Sequence, residues 1–254
     1  MNIKCYLINL DKASERLEYV MRSFGEISFT IERVSGVLGT GLELPIAEYS
    51  KLGYAAAHGK RTNTSEIGCY LSHIKALKQF MGTDNDYAII LEDDVELRGD
   101  LELIIKQLTG CSLDWDIVRL AGRRKTQSLP VRQLFLDTQL HVDFSRQTGA
   151  GAYLVNRKAA RRMINQMLPM YLPYDHAFDR EWLMGLRNFS VQPFPINQQE
   201  HEFESQIVIS KKDKYPKLLR IWTVLPYRFF TELSRVIYRT CIYMIAKYKF
   251  RSAR

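Results

Sequence analysis

The chain has 254 residues, of which 46% are hydrophobic, 25% charged and 11% aromatic. This composition excludes collagen-like, low-complexity and strongly solvated chains, and the length suits one large domain or two small ones. The formal net charge is +8, but residues 211–254 hold twelve Lys and Arg and two acidic residues, which leaves 8 − 10 = −2 for residues 1–210. The sequence therefore predicts a nearly neutral domain followed by a basic tail.

The cysteines and the apolar runs bear on cellular location. The four cysteines form no CxxC pair and no close cluster, which favours reduced thiols over a zinc site or a disulfide framework. The apolar run Cys5–Ile8 is too short for the core of a signal peptide. No stretch approaches the roughly 18 apolar residues of a spanning helix, since Arg239 interrupts even Val236–Ala246. We therefore expect a cytoplasmic protein whose membrane contact, if any, is peripheral.

From the N-terminus, hydrophobic periodicity predicts strands that alternate with helices. Lys4–Asn9 is a short apolar run, and residues 14–24 place apolar side chains at helical spacing, so strand, loop and helix follow one another. Ile27–Val34 alternates and is β-branched, which indicates a second strand. Residues 36–59 are rich in glycine and poorly periodic, as in a loop with a short helix.

The middle and the second half of the chain continue this alternation. Thr64 or Ser65 is predicted to cap a helix of about four turns. Tyr87–Leu91 is a continuous apolar run, typical of a central strand that is covered on both faces. Further helices are predicted at Leu101–Leu108, Arg157–Met167 and Pro173–Leu186, and further strands at Trp115–Leu120, Ala150–Val155 and Phe189–Val191. Together these elements predict an α/β sandwich with a mostly parallel sheet in one domain.

The strongest chemical signal is the acidic triplet Glu92, Asp93 and Asp94, which directly follows the predicted central strand. In open α/β sheets, ligands bind beyond the carboxyl ends of the strands. Carboxylates packed at such an end repel one another unless a cation neutralises them, and a hard divalent ion would also bind phosphate oxygens. An acidic loop that faces water is the alternative. The apolar strand before the triplet favours the metal site.

Five segments stand out in order along the chain, namely Ile8–Asp11 with Arg16, Glu66–His73, Ile90–Asp94, Gly149–Tyr153 and Pro173–Asp175. They span most of the first 200 residues. In this order they resemble the successive motifs of glycosyltransferase family 25. That family holds bacterial lipopolysaccharide and lipooligosaccharide sugar transferases and the related collagen galactosyltransferases.

The resemblance implies a GT-A-like, Rossmann-type nucleotide-sugar fold. It also implies a UDP-sugar donor, UDP-galactose or UDP-glucose, and a divalent ion, Mn²⁺ or Mg²⁺, as cofactor. By their match to the first motif, Asn9, Leu10 and Arg16 are expected to bind the donor near its uridine.

The other motifs imply further site residues. Glu92, Asp93 and Asp94 match the motif that binds the ribose and the metal-bridged diphosphate, with Glu92 and Asp94 as metal ligands and Asp93 at the donor. Glu66 and His73 match a helix expected to build the wall of the pocket, and Glu66 is counted with the donor-binding residues.

Sugar transfer places two chemical demands on the chain. The departing diphosphate needs stabilisation, which a carboxylate-held metal supplies where charge develops. Inverting transfer also needs a base that takes the proton of the acceptor hydroxyl. Asp175 and Asp179, in the helix predicted after Pro173, are the candidates. For Asp175, a role as helix N-cap is equally open.

Four other residues each have two possible roles. His201 either completes the metal site beside the carboxylates or lies on the surface, and His73 is either catalytic or a structural histidine. Gly149 and Gly151 either let the backbone approach a sugar closely or form a turn at a strand end. The sequence holds neither GxGxxG nor GxxxxGK[ST], so nicotinamide or ATP-hydrolysing chemistry lacks its usual phosphate loop.

The tail at residues 211–254 mixes Trp, Phe and aliphatic residues with Lys and Arg. A basic amphipathic helix of this kind suits the boundary of an anionic bilayer, so we predict contact with the inner membrane surface. A terminal helix that docks on the domain is the alternative. Nucleic acid is not an expected partner, because the tail has no recognised binding motif and the body no matching basic patch.

Three functions follow from these observations. The first is a galactosyltransferase, or otherwise a glucosyltransferase, that extends a lipid-linked or lipopolysaccharide core oligosaccharide at the inner face of the cytoplasmic membrane. The second is a metal-dependent phosphoesterase or nucleotidyltransferase that uses the acidic triplet. The third is a noncatalytic peripheral membrane or nucleic-acid adaptor. The five ordered motifs favour the first.

Overall fold

The computed structural model describes residues 2–25, 27–111, 113–123, 126–198 and 213–251. Two predictions, His201 as a metal ligand and the domain boundary at residue 210, lie outside the described residues. The division of the chain into a domain and a tail therefore stays a prediction.

The described residues contain ten strands and eight α-helices. The strands are β1 (Ile3–Asn9), β2 (Ile31–Ser35), β3 (Tyr87–Glu92), β4 (Val95–Leu97), β5 (Ile117–Arg119), β6 (Ser128–Phe135), β7 (Thr138–Asp143), β8 (Ala152–Asn156), β9 (Asn188–Gln192) and β10 (Ile196–Gln198). The helices are α1 (Ser14–Ser23), α2 (Lys51–His58), α3 (Thr64–Met81), α4 (Leu101–Thr109), α5 (Arg157–Gln166), α6 (Tyr174–Phe178), α7 (Lys217–Trp222) and α8 (Val224–Arg251).

The main sheet has eight strands in the order β2-β1-β3-β8-β5-β9-β7-β6. Strands β7 and β8 run opposite to the other six, so the sheet is mostly parallel, as predicted. A small second sheet pairs β4 with β10 in antiparallel register, with Val95 opposite Gln198. The α/β fold class is confirmed.

Two apolar cores cover the two faces of the main sheet. Ile89 and Leu91 of β3 enter the core that also holds residues of α1, α4 and α8, whereas Ala88 and Ile90 enter the core formed with α3 and α5. All four side chains are fully buried. This confirms the prediction of a central strand that is covered on both faces, and it explains why the run is apolar without alternation.

The observed elements differ from the predicted ones at several ends. The cap of α3 is Asn63, whose side chain accepts from the backbone N–H groups of Ser65 and Glu66 at 3.0 and 3.4 Å, so Thr64 already lies inside the helix. The second strand begins only at Ile31. The hairpin of β6 and β7 was not predicted, because Pro130 and two register shifts interrupt its alternation.

The helix predicted at Pro173–Leu186 is shorter than expected. It ends at Phe178 as α6, and a 3₁₀ turn follows at Glu181–Met184, closed by Gly185 at φ +58°. The helix breaks because Asp179 and Glu181 both turn into a buried group of arginines instead of continuing one helical face.

The C-terminal helix expected from the sequence is present as α8, and its inner side packs on the domain. Ile242 and Ala246 belong to the same core as Leu91 of β3, and Arg235 and Arg239 are buried. Among the described residues, no helix is both long enough and apolar enough to cross a membrane.

Candidate active site

Three strand ends meet at one edge of the main sheet. Strands β1 and β3 are parallel neighbours with Ile8 opposite Glu92, so both chains leave the sheet side by side. Strand β8 runs the other way and begins at this edge, with Ala152 opposite Leu91. The carbonyl of Gly151, just before β8, accepts a hydrogen bond from the backbone N–H of Glu92 at 2.8 Å. This topology brings the acidic triplet close to the segment with Gly149 and Gly151.

Asp93 joins the first motif to the acidic triplet. Asn9 Nδ2 donates to Asp93 Oδ2 at 2.9 Å, and Arg16 Nη1 donates to Asp93 Oδ1 at 3.2 Å. Asn9 is itself oriented, because its Oδ1 accepts from Arg33 Nε at 3.0 Å and its Nδ2 also donates to the carbonyl of Ala13. Burial raises the pKa of Asp93, while the contacts from Asn9 and Arg16 act in the opposite direction. The structure thus brings together three of the five residues predicted to bind the donor.

Glu92 and Asp94 converge on the side chain of Gln198. Gln198 Nε2 donates to Glu92 Oε2 at 3.1 Å and lies 3.1 and 3.2 Å from the two carboxylate oxygens of Asp94. Gln198 reaches this position because β10 pairs with β4 directly after the triplet. Burial, with the neighbouring Glu92 carboxylate adding to it, raises the pKa of Asp94 to about 7. Arg123 is a more distant cation, 3.7 Å from Asp94.

This group of side chains fits a hard divalent cation. A single amide nitrogen of Gln198 serves both carboxylates, whereas the amide oxygen is buried without a hydrogen-bond partner. Two carboxylates and an amide oxygen are ligands of the kind that Mg²⁺ and Mn²⁺ prefer. The raised pKa of Asp94 has the same origin, since two half-buried carboxylates lie close together and Arg123, 3.7 Å from Asp94, offsets their charge only in part.

His73 contacts the carboxylate of Glu92. Its Nε2 lies 3.0 Å from Glu92 Oε1 and its Nδ1 lies 3.1 Å from the hydroxyl of Tyr153. The ring is fully buried and stacks on Tyr174 at a centroid distance of 3.8 Å. Cys69, His73 and Glu92 offer ligand atoms within 4.8 Å of one another. Because both nitrogens of His73 are already engaged, this geometry favours a role in orienting Glu92 over a role as metal ligand.

A cavity of about 220 Å³ opens beside these carboxylates. Many of the residues that line it are charged or polar. Its lining is formed by His58, Lys60, Glu66, Cys69, Glu92, Arg123, Gly149, Ala150, Pro173, Tyr174, Asp175, His176 and Gln198. The cavity is large enough for one sugar ring and reaches from the Glu92 carboxylate to Asp175.

Glu66 and Asp175 both line this cavity, as the sequence led us to expect of site residues. The hydroxyl of Tyr54 donates to Glu66, and Lys60 Nζ lies 4.0 Å from the same carboxylate. Burial raises the pKa of Glu66. Asp175 is the first acidic residue of α6, and its side chain is partly exposed, 3.9 Å from His176. Its carboxylate makes no capping hydrogen bond, since Pro173 occupies the cap position.

Asp179, the alternative base, lies elsewhere. It is fully buried and contacts Arg235, Arg239 and Arg119 at 2.9, 3.0 and 3.3 Å. Burial by itself raises the pKa of Asp179, but the three arginines outweigh burial and hold the pKa below its ordinary value. An acceptor hydroxyl does not reach this carboxylate, so the geometry favours Asp175 over Asp179 as the base.

Some site residues had no local signal in the sequence. Gln198 follows Asp94 by 104 residues and sits in an unremarkable polar run, so only the pairing of β10 with β4 reveals it. The roles of Tyr153 and Tyr174 in holding His73 depend equally on the fold. Leu10 of the first motif is half-buried and packs near Gly36, where an added Cβ would lie 3.0 Å from the leucine side chain.

Comparison with known proteins bears on this site. The family model described as glycosyltransferase family 25 (LPS biosynthesis protein) matches residues 2–178, more than two thirds of the chain. The chain belongs to glycosyltransferase family 25. The matched range contains β1, the acidic triplet and Asp175, so the family inferred from the five motifs is confirmed.

Curated relatives and solved structures show the same likeness. Procollagen galactosyltransferase 1-B of Xenopus laevis is 27% identical over 223 residues, which cover 74% of this chain and 34% of that protein. A Rattus norvegicus protein named probable inactive glycosyltransferase 25 family member 3 is 25% identical over 211 residues, covering 74% of this chain and 36% of the relative. The family 25 chain therefore spans about a third of the length of these relatives.

A solved Drosophila beta-1,4-galactosyltransferase 7 variant, in complex with manganese, UDP-Gal and xylobiose, is 14% identical with a TM-score of 0.44. The match covers 87% of this chain and 80% of that one.

Proposed function

We propose that this family 25 chain is a metal-dependent hexosyltransferase. It moves galactose, or alternatively glucose, from a UDP-sugar to the hydroxyl of a sugar acceptor, with inversion at the anomeric carbon. The observation that carries the proposal is the convergence of Glu92 and Asp94 on a buried amide, next to a cavity that also contains a free-standing carboxylate, Asp175. The names of the galactosyltransferase relatives support galactose over glucose as the donor sugar.

Two groups of residues would bind the donor. Asn9, Arg16 and Asp93 form one hydrogen-bonded unit beyond β1, suited to the nucleoside. Glu92 and Asp94 would hold the divalent ion, with His73 and Gln198 fixing the orientation of Glu92. When bound, the ion supplies a Lewis acid that stabilises the charge of the departing diphosphate.

Asp175 would take the proton of the acceptor. As the acceptor oxygen forms its bond to the anomeric carbon, the bond from that carbon to the diphosphate breaks, and the hydroxyl proton passes to the carboxylate of Asp175. Its position in the cavity wall and its partial exposure suit this task, because a hydroxyl can approach it directly. Asp179 is not accessible for such a transfer.

The test compares Asp175→Asn with Asp84→Asn, an exposed aspartate outside the cavity. With UDP-galactose, Mn²⁺ and a panel of oligosaccharide acceptors, we expect Asp175→Asn to lose transfer by about a hundredfold or more while it still binds UDP. Asp84→Asn should transfer at the parental rate. Full transfer by Asp175→Asn would remove Asp175 as the base. If the parent neither transfers nor hydrolyses any UDP-hexose, the enzymatic proposal fails, and the chain would resemble its relative named as inactive.

The proposal extends to the acceptor and to location. The acceptor would be a lipid-linked or lipopolysaccharide core oligosaccharide, presented at the inner face of the cytoplasmic membrane. The family description as an LPS biosynthesis protein supports this acceptor class. The outer side of α7 and α8 supports the membrane, because Trp222, Phe229 and Phe230 are 75%, 65% and 64% exposed among basic residues.

Removal of the whole tail is not a clean test of membrane binding, since Ile242 and Ala246 belong to the core. The sharper variant replaces Trp222, Phe229 and Phe230 together by Ser, with Leu136→Ser, an exposed residue outside the tail, as the matched control. We expect the triple variant to stop sedimenting with anionic vesicles and the control to sediment as the parent does. Parental binding should weaken with salt without vanishing, because salt screens charge but not apolar burial. Equal partition of the triple variant and the parent would contradict the membrane proposal.

A further inference from the structure

The part of the cavity wall formed by α2 and α6 contains a pair of histidines. The rings of His58 and His176 meet edge to face, 5.1 Å apart, and both line the cavity. His58 is only 5% exposed, yet neither of its ring nitrogens has a hydrogen-bond partner. Buried polar groups are normally satisfied, so two unpartnered nitrogens on a side chain that lines a cavity point to a ligand.

Positive charges surround this pair. Arg146 and Arg228 act on both histidines, together with Lys60 in the cavity wall. Arg180 also acts on His176. The carboxylates on this side are fewer, namely Glu66, Asp175 and Asp213. Burial lowers the pKa of His58 and of His176 to about 2. His176 adds to this effect at His58, and the neighbouring cations add to it at both histidines.

The tail helices supply part of this charge. Arg228 belongs to α8, and Arg220 of α7 packs on Gly59, directly after His58. A Cβ on Gly59 would lie 3.1 Å from Arg220 Nε and 2.7 Å from Val224, which shows how closely α7 and α8 approach this segment. The Nε atoms of Arg180 and Arg220 are buried without hydrogen-bond partners. The cations that act on the two histidines favour an anion over a metal ion.

We infer that this end of the cavity, defined by His58, His176 and Lys60, is a subsite for a phosphate ester carried by the acceptor. The inference rests on the proposed function, since it places the phosphate beyond Asp175, on the acceptor side of the transferred sugar. The phosphate belongs either to a phosphorylated sugar or to the lipid carrier of the acceptor.

The donor diphosphate has a different place. Glu92 and Asp94 contact the side chain of Gln198, whereas the ring of His58 contacts Tyr54 and His176. The histidine subsite and the donor carboxylates are therefore built from different side chains. A phosphate at the histidines accepts hydrogen bonds from neutral imidazole N–H groups and is attracted by the arginines.

The test titrates the full-length chain with inorganic phosphate, glucose 6-phosphate, decyl phosphate and unphosphorylated glucose, using calorimetry. The variants are His58→Gln and Arg228→Gln, and His141→Gln, a histidine of β7 outside the cavity, is the matched control. Affinity for UDP with Mn²⁺ and the thermal melting temperature are measured for each variant.

We expect phosphate affinity to fall about tenfold in His58→Gln, as for the loss of one hydrogen bond to a charged group, and by a smaller factor in Arg228→Gln, which loses only the attraction of a nearby charge. His141→Gln should bind as the parent does, glucose should not bind measurably, and UDP affinity should stay within about twofold in all variants. Tighter binding of glucose 6-phosphate would assign the phosphate to a sugar, and tighter binding of decyl phosphate would assign it to the lipid carrier.

Two results would overturn the inference. Phosphate affinity that is equal in parent and variants of parental stability would remove the subsite. A parallel fall of UDP affinity would mean that the donor's own phosphates occupy the histidines. If UDP does not bind the parent at all, the proposed function fails, whereas the phosphate titration still decides the subsite. Arg228→Gln leaves both histidines in place. If His58→Gln does not fold, the phosphate affinity of Arg228→Gln therefore decides whether the subsite exists.

Discussion

Asp94 is a half-buried carboxylate and Asp179 a fully buried one, and the charged groups around them differ. Asp94 faces a second carboxylate, Glu92, and is bridged to it by a neutral amide. Asp179 faces three arginines. Burial acts on both, yet the pKa is raised to about 7 for Asp94 and lowered for Asp179.

The contrast distinguishes a ligand site from a structural ion pair. The charge of Asp179 is neutralised by the chain itself, and the arginines tie α8 to the domain through Arg235 and Arg239. Arg123, 3.7 Å from Asp94, offsets the charges of Asp94 and Glu92 only in part, so these charges cost free energy until a cation from solution binds. Carboxylates whose charge the fold does not fully neutralise, such as Asp94, indicate the metal site. Carboxylates that arginines neutralise, such as Asp179, stabilise the fold.

The largest effect is expected at Asp94. Asp94→Asn keeps the size of the side chain and removes its charge, so consumption of UDP-hexose with Mn²⁺ should fall about a thousandfold or more. The circular dichroism spectrum should not change, because Asn can still accept from Gln198. Measuring donor turnover at saturating Mn²⁺ decides the matter, and a parental rate would show that Asp94 is not a metal ligand.

The next effect concerns Asp179 and α8. Arg239→Met removes one partner of a buried ion pair and leaves Asp179 and Glu181 undercompensated, so the free energy of unfolding should drop by about 3 kcal/mol. Lys249→Met, on the same helix, breaks the exposed pair with Asp114 and should cost less than about 1 kcal/mol. Urea denaturation measures both. Equal losses would contradict the structural role of the arginine group.

The pH dependence of stability should separate the two aspartates further. In metal-free protein, the pKa of Asp94 is raised in the folded state, so the folded chain binds more protons than the unfolded chain between about pH 4 and pH 7. Asp94 therefore destabilises the fold progressively as pH rises through this window. Asp94→Asn should be more stable than the parent by about 2 kcal/mol at pH 8 and by much less at pH 5. A stability difference that is independent of pH would contradict the assignment.

The smallest effect is expected at the nucleoside end. Arg16 contacts Asp93 at 3.2 Å and is expected to contact the donor as well, so Arg16→Ala should weaken UDP binding about tenfold. Calorimetry with Mn²⁺ present measures the change. Arg22→Ala, an exposed arginine of the same helix, is the control and should bind UDP as the parent does. Equal affinities of the two variants would remove Arg16 from the donor site.

The sequence predicted the parts of the site that lie within single segments. The apolar run before Glu92 was enough to predict a central strand and an acidic end, because both signals are local. Asn9 contacts Asp93 because β1 and β3 are parallel neighbours and end at the same edge of the sheet. The family motifs then supplied the reaction class, which local periodicity does not contain.

Other features depend on contacts between distant segments and could not be predicted. Asp179 looked like Asp175, four residues earlier, until the fold placed three arginines around one and a cavity beside the other. The basic tail was predicted from composition alone, which does not distinguish an arginine in the core, such as Arg239, from one in solvent. Its inner and outer sides have different roles for that reason.

The ion pair between Asp179 and Arg239 also sets an order of events during protein synthesis. The two residues are 60 positions apart. At about 5–20 residues per second, the ribosome adds Arg239 about 3 to 12 s after Asp179. Through that interval the nascent domain holds Asp179 and Glu181 with only Arg119 from its own sheet to neutralise them. Closure of this part of the core therefore waits for α8, and a translational pause between residues 179 and 239 would prolong the time in which chaperones and proteases meet an open domain.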